Sequence, residues 1–207
     1  MSEATEWDAR YSEHDRVWSG DPNGALVRET ADEQPGRVLD VGCGEGADAV
    51  WLARRGWAVT ALDVSRVALD RAAAHAAEAD VDVTWISSGL LEADLPEGGF
   101  DLVSAQYPAL RITPGADAER ALLSAVAPGG TLLVVHHDMG DGAAALESGF
   151  DPADWVKPSD VAALLDGDWR IDVNEVRERS INGGEGAHHT HDVVLRAHRL
   201  TDGGAPG

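Results

Sequence analysis

Positive charge is scarce in this chain of 207 residues: 16 Lys and Arg stand against 37 Asp and Glu, a formal net charge of −21. Lys157 is the only lysine. Such a surface repels phosphate backbones and argues against a nucleic-acid partner. Cysteine is scarcer still. Cys43 stands alone, which excludes a disulfide within the chain and suits a reducing cytoplasm. No apolar run is long enough for a membrane span, so no membrane partner is expected. The polar, acidic start MSEATEWDAR is unlike a signal peptide. There is no internal repeat, and the length suffices for one domain with a real core.

What is present is a glycine-rich turn between two strand-like runs. Arg37 to Val41 reads as a buried strand, and Gly42, Gly44 and Gly46 alternate directly after it. Glycine admits positive φ and close approach of a ligand to the backbone. Ala47 to Arg55 is helix-compatible, so the turn opens a helix whose free N–H groups can face a polar ligand. The next strand ends in Asp63, placed to accept both hydroxyls of a ribose. Gly42, Gly44 and Ala47 formally satisfy a dinucleotide fingerprint as well, and that reading predicts an NAD oxidoreductase.

Strand and helix then alternate. Strands are predicted over 37–41, 57–62, 81–86, 100–105 and 131–135, with helices over 47–55, 66–79 (capped by Ser65) and 117–126. Pro128-Gly129-Gly130 reads as punctuation before the fifth strand. This rhythm predicts an α/β fold, a doubly wound and mostly parallel sheet with helices on both faces. Beyond His136 the pattern loosens, with a helix over 160–165 and strand-like alternation over 169–177 and 192–197. Upstream, Trp7 and Tyr11 lie four apart and share a helical face, and a short helix is expected from Ala25 to Thr30.

The run LDVGCGEG followed by ALDVS resembles the first two motifs of the class I S-adenosylmethionine-dependent methyltransferases, over roughly residues 37 to 136. More loosely, the flanks are similar to the small tellurite/thiopurine-type enzymes. The resemblance implies a Rossmann-like seven-stranded sheet whose last strand is antiparallel. It implies a cap over 1–36, a cofactor-binding domain over 37–200 and a disordered tail over 201–207. The implied activity is methyl transfer from S-adenosylmethionine, leaving S-adenosylhomocysteine, to an O, N, S or chalcogen atom of a small molecule. A non-catalytic cofactor-binding module is a further alternative.

By the same resemblance, Asp40 faces the methionine ammonium, while Gly42, Cys43, Gly44 and Gly46 let the backbone pass close. Asp63 takes the ribose, Val64 lies against adenine, and Ser88, Gly89 and Leu90 complete the adenine side. Many relatives carry an acidic residue where Gly89 stands, so Ser88 or a backbone group must substitute. Gln106 reaches the cofactor and Tyr107 lines the acceptor pocket. Tyr11 and Trp18, on the cap, join the substrate site. Loops near 107–116, 138–157 and 181–190 frame it. His137 and His188 are candidate general bases, since imidazole titrates near neutrality. Arg111 and Arg179 either hold an anionic acceptor or form surface ion pairs. His188, His191 and Asp138 offer metal ligands, but on an irregular segment that spacing is weak, and no metal is expected.

Overall fold

The computed structural model describes residues 2–138, 152–179 and 190–201. In chain order the elements are α1 (Glu3–Ser12), α2 (Gly24–Glu29), β1 (Arg37–Val41), α3 (Ala47–Arg54), β2 (Ala58–Asp63), α4 (Arg66–Glu78) and β3 (Thr84–Ser87). They continue with β4 (Phe100–Gln106), α5 (Asp117–Ala125), β5 (Val126–His137), α6 (Pro158–Ala162), β6 (Trp169–Glu178) and β7 (His191–Arg199). The sheet order is β3-β2-β1-β4-β5-β7-β6. Pairing is parallel from β3 through β5, and β7 runs antiparallel to both its neighbours. The last strand is thus antiparallel, as expected, and it is inserted between β5 and β6.

Both faces of the central strands are buried, which explains their continuous apolar reading, whereas most of β6 is exposed. Along β5, Leu132 and Val134 join a core with Leu122 of α5 and Val161 of α6, while Leu133 and Val135 face Leu26 of α2 and Leu52 of α3. Helix ends follow local chemistry. Ser65 caps α4 by accepting from the Ala68 N–H at 3.1 Å. Gly56, at φ +90°, closes α3.

Two strands depart from their predicted bounds. β3 begins at Thr84, where pairing with Thr60 of β2 starts; Val81 to Val83 precede that partner. β5 begins at Val126 and runs through Pro128-Gly129-Gly130, at a shift in its register with β4 between Phe100 and Leu102. A bulge tolerates a proline that a regular ladder would reject.

The segment before β1 is held on by polar links. Asp8 accepts from the Ser65 hydroxyl at 2.7 Å and from the Val67 N–H at 3.2 Å. Glu45 accepts from the Val17 and Trp18 N–H groups. Asp48 accepts from the backbone and side-chain amides of Asn23, both at 2.7 Å. Arg71 reaches Glu45 and the carbonyls of Tyr11 and His14. Trp7 and Tyr11 lie together as their spacing predicted, ring centroids 6.1 Å apart. The proposed tail lies outside the described residues except for its first residue, Thr201.

Candidate cofactor and acceptor site

A cavity of about 300 Å³ opens at the carboxyl ends of β1, β2 and β4, under the N-terminal segment. That volume is at the lower end of what small-molecule sites occupy. The turn from Gly42 to Glu45 forms its floor. Gly42, Gly44 and Gly46 have φ of +71°, +51° and +81°, the left-handed region closed to most side chains. Their tasks differ. At Gly44 a Cβ would lie 2.9 Å from the Tyr11 hydroxyl and 3.2 Å from Trp18 Nε1, so the cap sits directly on the turn. At Gly46 it would lie 2.7 Å from the Ala72 Cβ and 3.0 Å from Trp85. Gly46 is absent from the cavity wall and lets α4 and β3 pack.

Asp63 links the two motif turns. Its Oδ2 accepts from the Gly44 N–H at 2.9 Å and its Oδ1 from the Ser65 N–H at 2.8 Å. Each oxygen keeps a further lone pair for a ligand hydroxyl. The spacing predicted the ribose role; the cross-link of the turns was not predicted. Burial pushes the Asp63 carboxyl up, against those two hydrogen bonds.

Asp40, at the end of β1, is different. Its side chain is buried on the cavity wall and Oδ2 has no hydrogen-bond partner among the described residues. Burial, with the nearby Asp48 and Asp63 charges, holds its carboxyl well above the usual range. Two residues beyond Ser104, its partner on β4, Gln106 shows the same condition. Its Nε2 donates to the Ser104 hydroxyl at 3.1 Å, while its buried Oε1 has no partner. Buried acceptors left unmatched cost about 1–3 kcal/mol each. Two of them on one cavity wall call for a donor-rich ligand, and an ammonium has three N–H donors and the matching charge.

Val64, Cys43, Ser88, Gly89 and Leu90 also line the cavity. The Cys43 thiol is pushed up by burial and by the neighbouring carboxylates, as suits a packing residue. The Ser88 hydroxyl gives its proton to the Gly89 carbonyl at 3.1 Å.

The other end of the cavity is a cluster drawn from four strand ends. Tyr107, at φ +51°, leaves β4 and donates from its hydroxyl to Asp192 Oδ2 at 3.0 Å. Its ring stacks on His137, centroids 4.2 Å apart. The Arg179 guanidinium lies 4.9 Å from the centre of that ring. Asp192 Oδ1 stands 3.7 Å from both His137 Nδ1 and Arg179 Nε. Asp192 is only 3% exposed. Burial and Asp192 push the Tyr107 phenol up, so it stays a neutral donor and wall, not a base.

The remaining candidates fall as follows. Tyr11 and Trp18 are joined by a 2.9 Å hydrogen bond over Gly44, placing them on the glycine-rich turn. Arg111 lines the cavity but stacks on Trp155 at 4.1 Å and pairs with Asp154 at 3.5 Å. Arg179 is no surface pair: its side chain is 15% exposed and sits on the cavity wall. His188 lies outside the described residues. Asp192 and Glu92 were not singled out from sequence, because their partners are distant in the chain or follow from Gly89 having no side chain.

Residues 38–130 match the model of a family described as a methyltransferase domain. Residues 38–130 carry a methyltransferase domain. It is similar to the ubiquinone biosynthesis O-methyltransferase of Alkalilimnicola ehrlichii, 40% identical over 98 residues, 47% of this chain and 40% of that one. The chain spans half or less of the length of the curated relatives it matches. Its fold is that of a solved protein described under conversion of a disulfide bond into a thioacetal group during echinomycin biosynthesis (TM-score 0.74, 23% identity, covering 97% of this chain and 94% of that one). It is also that of the magnesium protoporphyrin IX methyltransferase of Synechocystis, solved with bound S-adenosylhomocysteine (TM-score 0.62, 21% identity, covering 84% and 80%). Residues 38–130 of this methyltransferase domain run from β1 into β5, so the match covers the cofactor end, while His137, Arg179 and Asp192 lie beyond it.

Proposed function

We propose that the protein is a cytoplasmic enzyme that transfers a methyl group from S-adenosylmethionine to an O, N, S or chalcogen atom of a small molecule. The observation that carries the cofactor reading is the pair of buried acceptors unmatched among the described residues, Asp40 Oδ2 and Gln106 Oε1, in a cavity also lined by the left-handed Gly42 and Gly44. These suit the methionine ammonium, and Asp63 suits the ribose hydroxyls. Val64, Ser88, Gly89 and Leu90 serve the base. Bound S-adenosylmethionine supplies a methyl already activated by its sulfonium charge.

The chain's own residues then have three tasks. They hold the acceptor in line, exclude water and take a proton. Orientation alone supplies several kcal/mol in favourable cases, up to roughly 7–11. The Tyr107 ring and the His137 ring it stacks on form the acceptor wall. The Asp192 carboxylate lies 3.7 Å from His137 Nδ1, too far for a hydrogen bond but near enough to favour positive charge on the ring, and Nε2 is the atom that takes the acceptor's proton. Arg179, over Tyr107, offers positive charge to an acceptor that becomes anionic. This division of labour explains why no nucleophilic side chain is required. The likeness to an O-methyltransferase favours an acceptor with a dissociable proton. The net charge of −21 supports a small molecule over a nucleic acid as partner.

Calorimetry with S-adenosylmethionine, S-adenosylhomocysteine and NAD tests the cofactor reading. Binding of the first two without NAD supports it. NAD binding without the others overturns it in favour of an oxidoreductase. In such an enzyme a Tyr–Lys pair would be expected, whereas Tyr107 bonds Asp192 here and Lys157 caps α6.

A further inference from the structure

Gly89 leaves a gap on the base side of the cofactor pocket, and the structure fills it from elsewhere. A Cβ built on Gly89 would collide with Glu92 Oε2, and its next neighbour would be Val64 Cγ1 at 3.7 Å. The Glu92 carboxylate therefore occupies the space that a longer side chain at 89 would take. One helical turn puts it there: the Ala93 N–H donates to the Gly89 carbonyl at 3.1 Å, folding Glu92 back over Gly89. Gly89, Glu92 and Val64 all line the cavity, as does Asp63. Asp63 pairs in register with Ser87, two residues before Gly89, so the exits of β2 and β3 deliver both carboxylates to one end of the cavity. The Glu3 carboxyl, which also lines the cavity, is raised first by burial and further by Glu92, Glu6 and Asp63, against Arg111. That places Glu92 and Asp63 within one electrostatic neighbourhood.

We infer that Glu92 is the acceptor for the exocyclic amino group of the cofactor's adenine, reaching from three residues downstream into the place Gly89 leaves open. The inference rests on the cofactor reading above. Gly89 and Glu92 form a pair: the glycine makes room and the glutamate brings the charge. A carboxylate accepts from an amino group and repels a carbonyl oxygen. Glu92 therefore sets selectivity for a 6-amino purine over a 6-oxo purine. Ser88 has given its proton to the Gly89 carbonyl and carries no charge, so it supplies no equivalent discrimination. A site built to bond a ligand N–H rejects the analogue lacking it far better than an apolar site does.

The test is calorimetry with S-adenosylhomocysteine and with S-inosylhomocysteine, its 6-oxo counterpart, on the wild-type chain, Glu92→Gln and Gly89→Asp/Glu92→Ala. Thermal melts confirm that each variant is folded, as expected for an exposed side chain. Wild type should prefer the amino ligand at least tenfold. Glu92→Gln, which can donate to the 6-oxo group, should narrow that ratio at least tenfold. The double variant should restore the preference, because the aspartate then fills the vacated space. If Glu92→Gln leaves both affinities within twofold of wild type, the inference fails while the cofactor reading stands. If wild type binds no S-adenosylhomocysteine, both fail.

Discussion

The two ends of the cavity are built on different terms. At the cofactor end, β1, β2 and β3 are parallel and deliver backbone: one glycine-rich turn, the turn after β2 and one carboxylate that ties the two together. At the acceptor end, β4, β5, β6 and β7 deliver side chains, four of which touch one another. The first end is defined by conformations that only a few residues allow. The second is defined by contacts that many sequences could replace. The difference teaches where this chain is general and where it is particular, and it can be broken from either side.

The largest expected effect is at the acceptor end alone. His137→Ala should lower turnover by roughly 10²–10⁴-fold, the usual contribution of a positioned general base. S-adenosylhomocysteine affinity by calorimetry should stay within twofold. A parallel loss of cofactor affinity would show that the two ends are not separable. Asp63→Ala should do the reverse. Losing charge-assisted bonds worth about 1–3 kcal/mol should weaken cofactor binding on the order of 10–100-fold. It should also lower the melting temperature, because the Gly44 and Ser65 amides lose their acceptor. Gly46→Ala should separate packing from binding within the glycine turn. It should cost stability, since φ is +81° and Ala72 is in the way, while the folded fraction keeps its cofactor affinity. An affinity loss beyond threefold would return Gly46 to the ligand wall.

The smallest effect has the opposite sign. Burial raises the Asp40 carboxyl above its unfolded value. The stability this group contributes is therefore complete below the ordinary carboxylate range and is lost as pH rises through its raised folded value. Above that value the empty protein holds an unmatched buried charge. Asp40→Asn should raise the melting temperature by a few degrees at pH 7, roughly 2–4 °C per kcal/mol at this size. The gain should vanish in acid, and cofactor affinity should fall. A variant that melts lower at pH 7 would show that Asp40 is already matched without the ligand.

The cofactor end was largely legible in the sequence because its signals are local. Alternating glycines after a strand, an acid at the next strand's tip and a serine cap at 65 each act within a few residues. The order of the first five strands was not read from the sequence, because the right-handed crossover rule fixes the hand of each connection and not the neighbour it reaches. The acceptor end was legible only as a set of residue types. Tyr107, His137 and Arg179 could be named, but Asp192, which contacts all three, is 85 residues from Tyr107. Arg179 read rather as a surface pair, and it is the structure that places it, half-hidden, on the cavity wall beside Asp192. The Pro-Gly-Gly of β5 misled because a bulge and a turn use the same residues. Glu92 could have been found from Gly89 itself, as an acid one helical turn after an unexpected glycine.

The placement of β7 has a consequence for how the sheet is held together. Among the described residues β6 pairs with β7 alone, so its place in the sheet depends on residues 191–199 lying between it and β5. A chain ending before Thr190 would keep the glycine-rich turn and Asp63 but would lack Asp192, the acceptor of the Tyr107 hydroxyl.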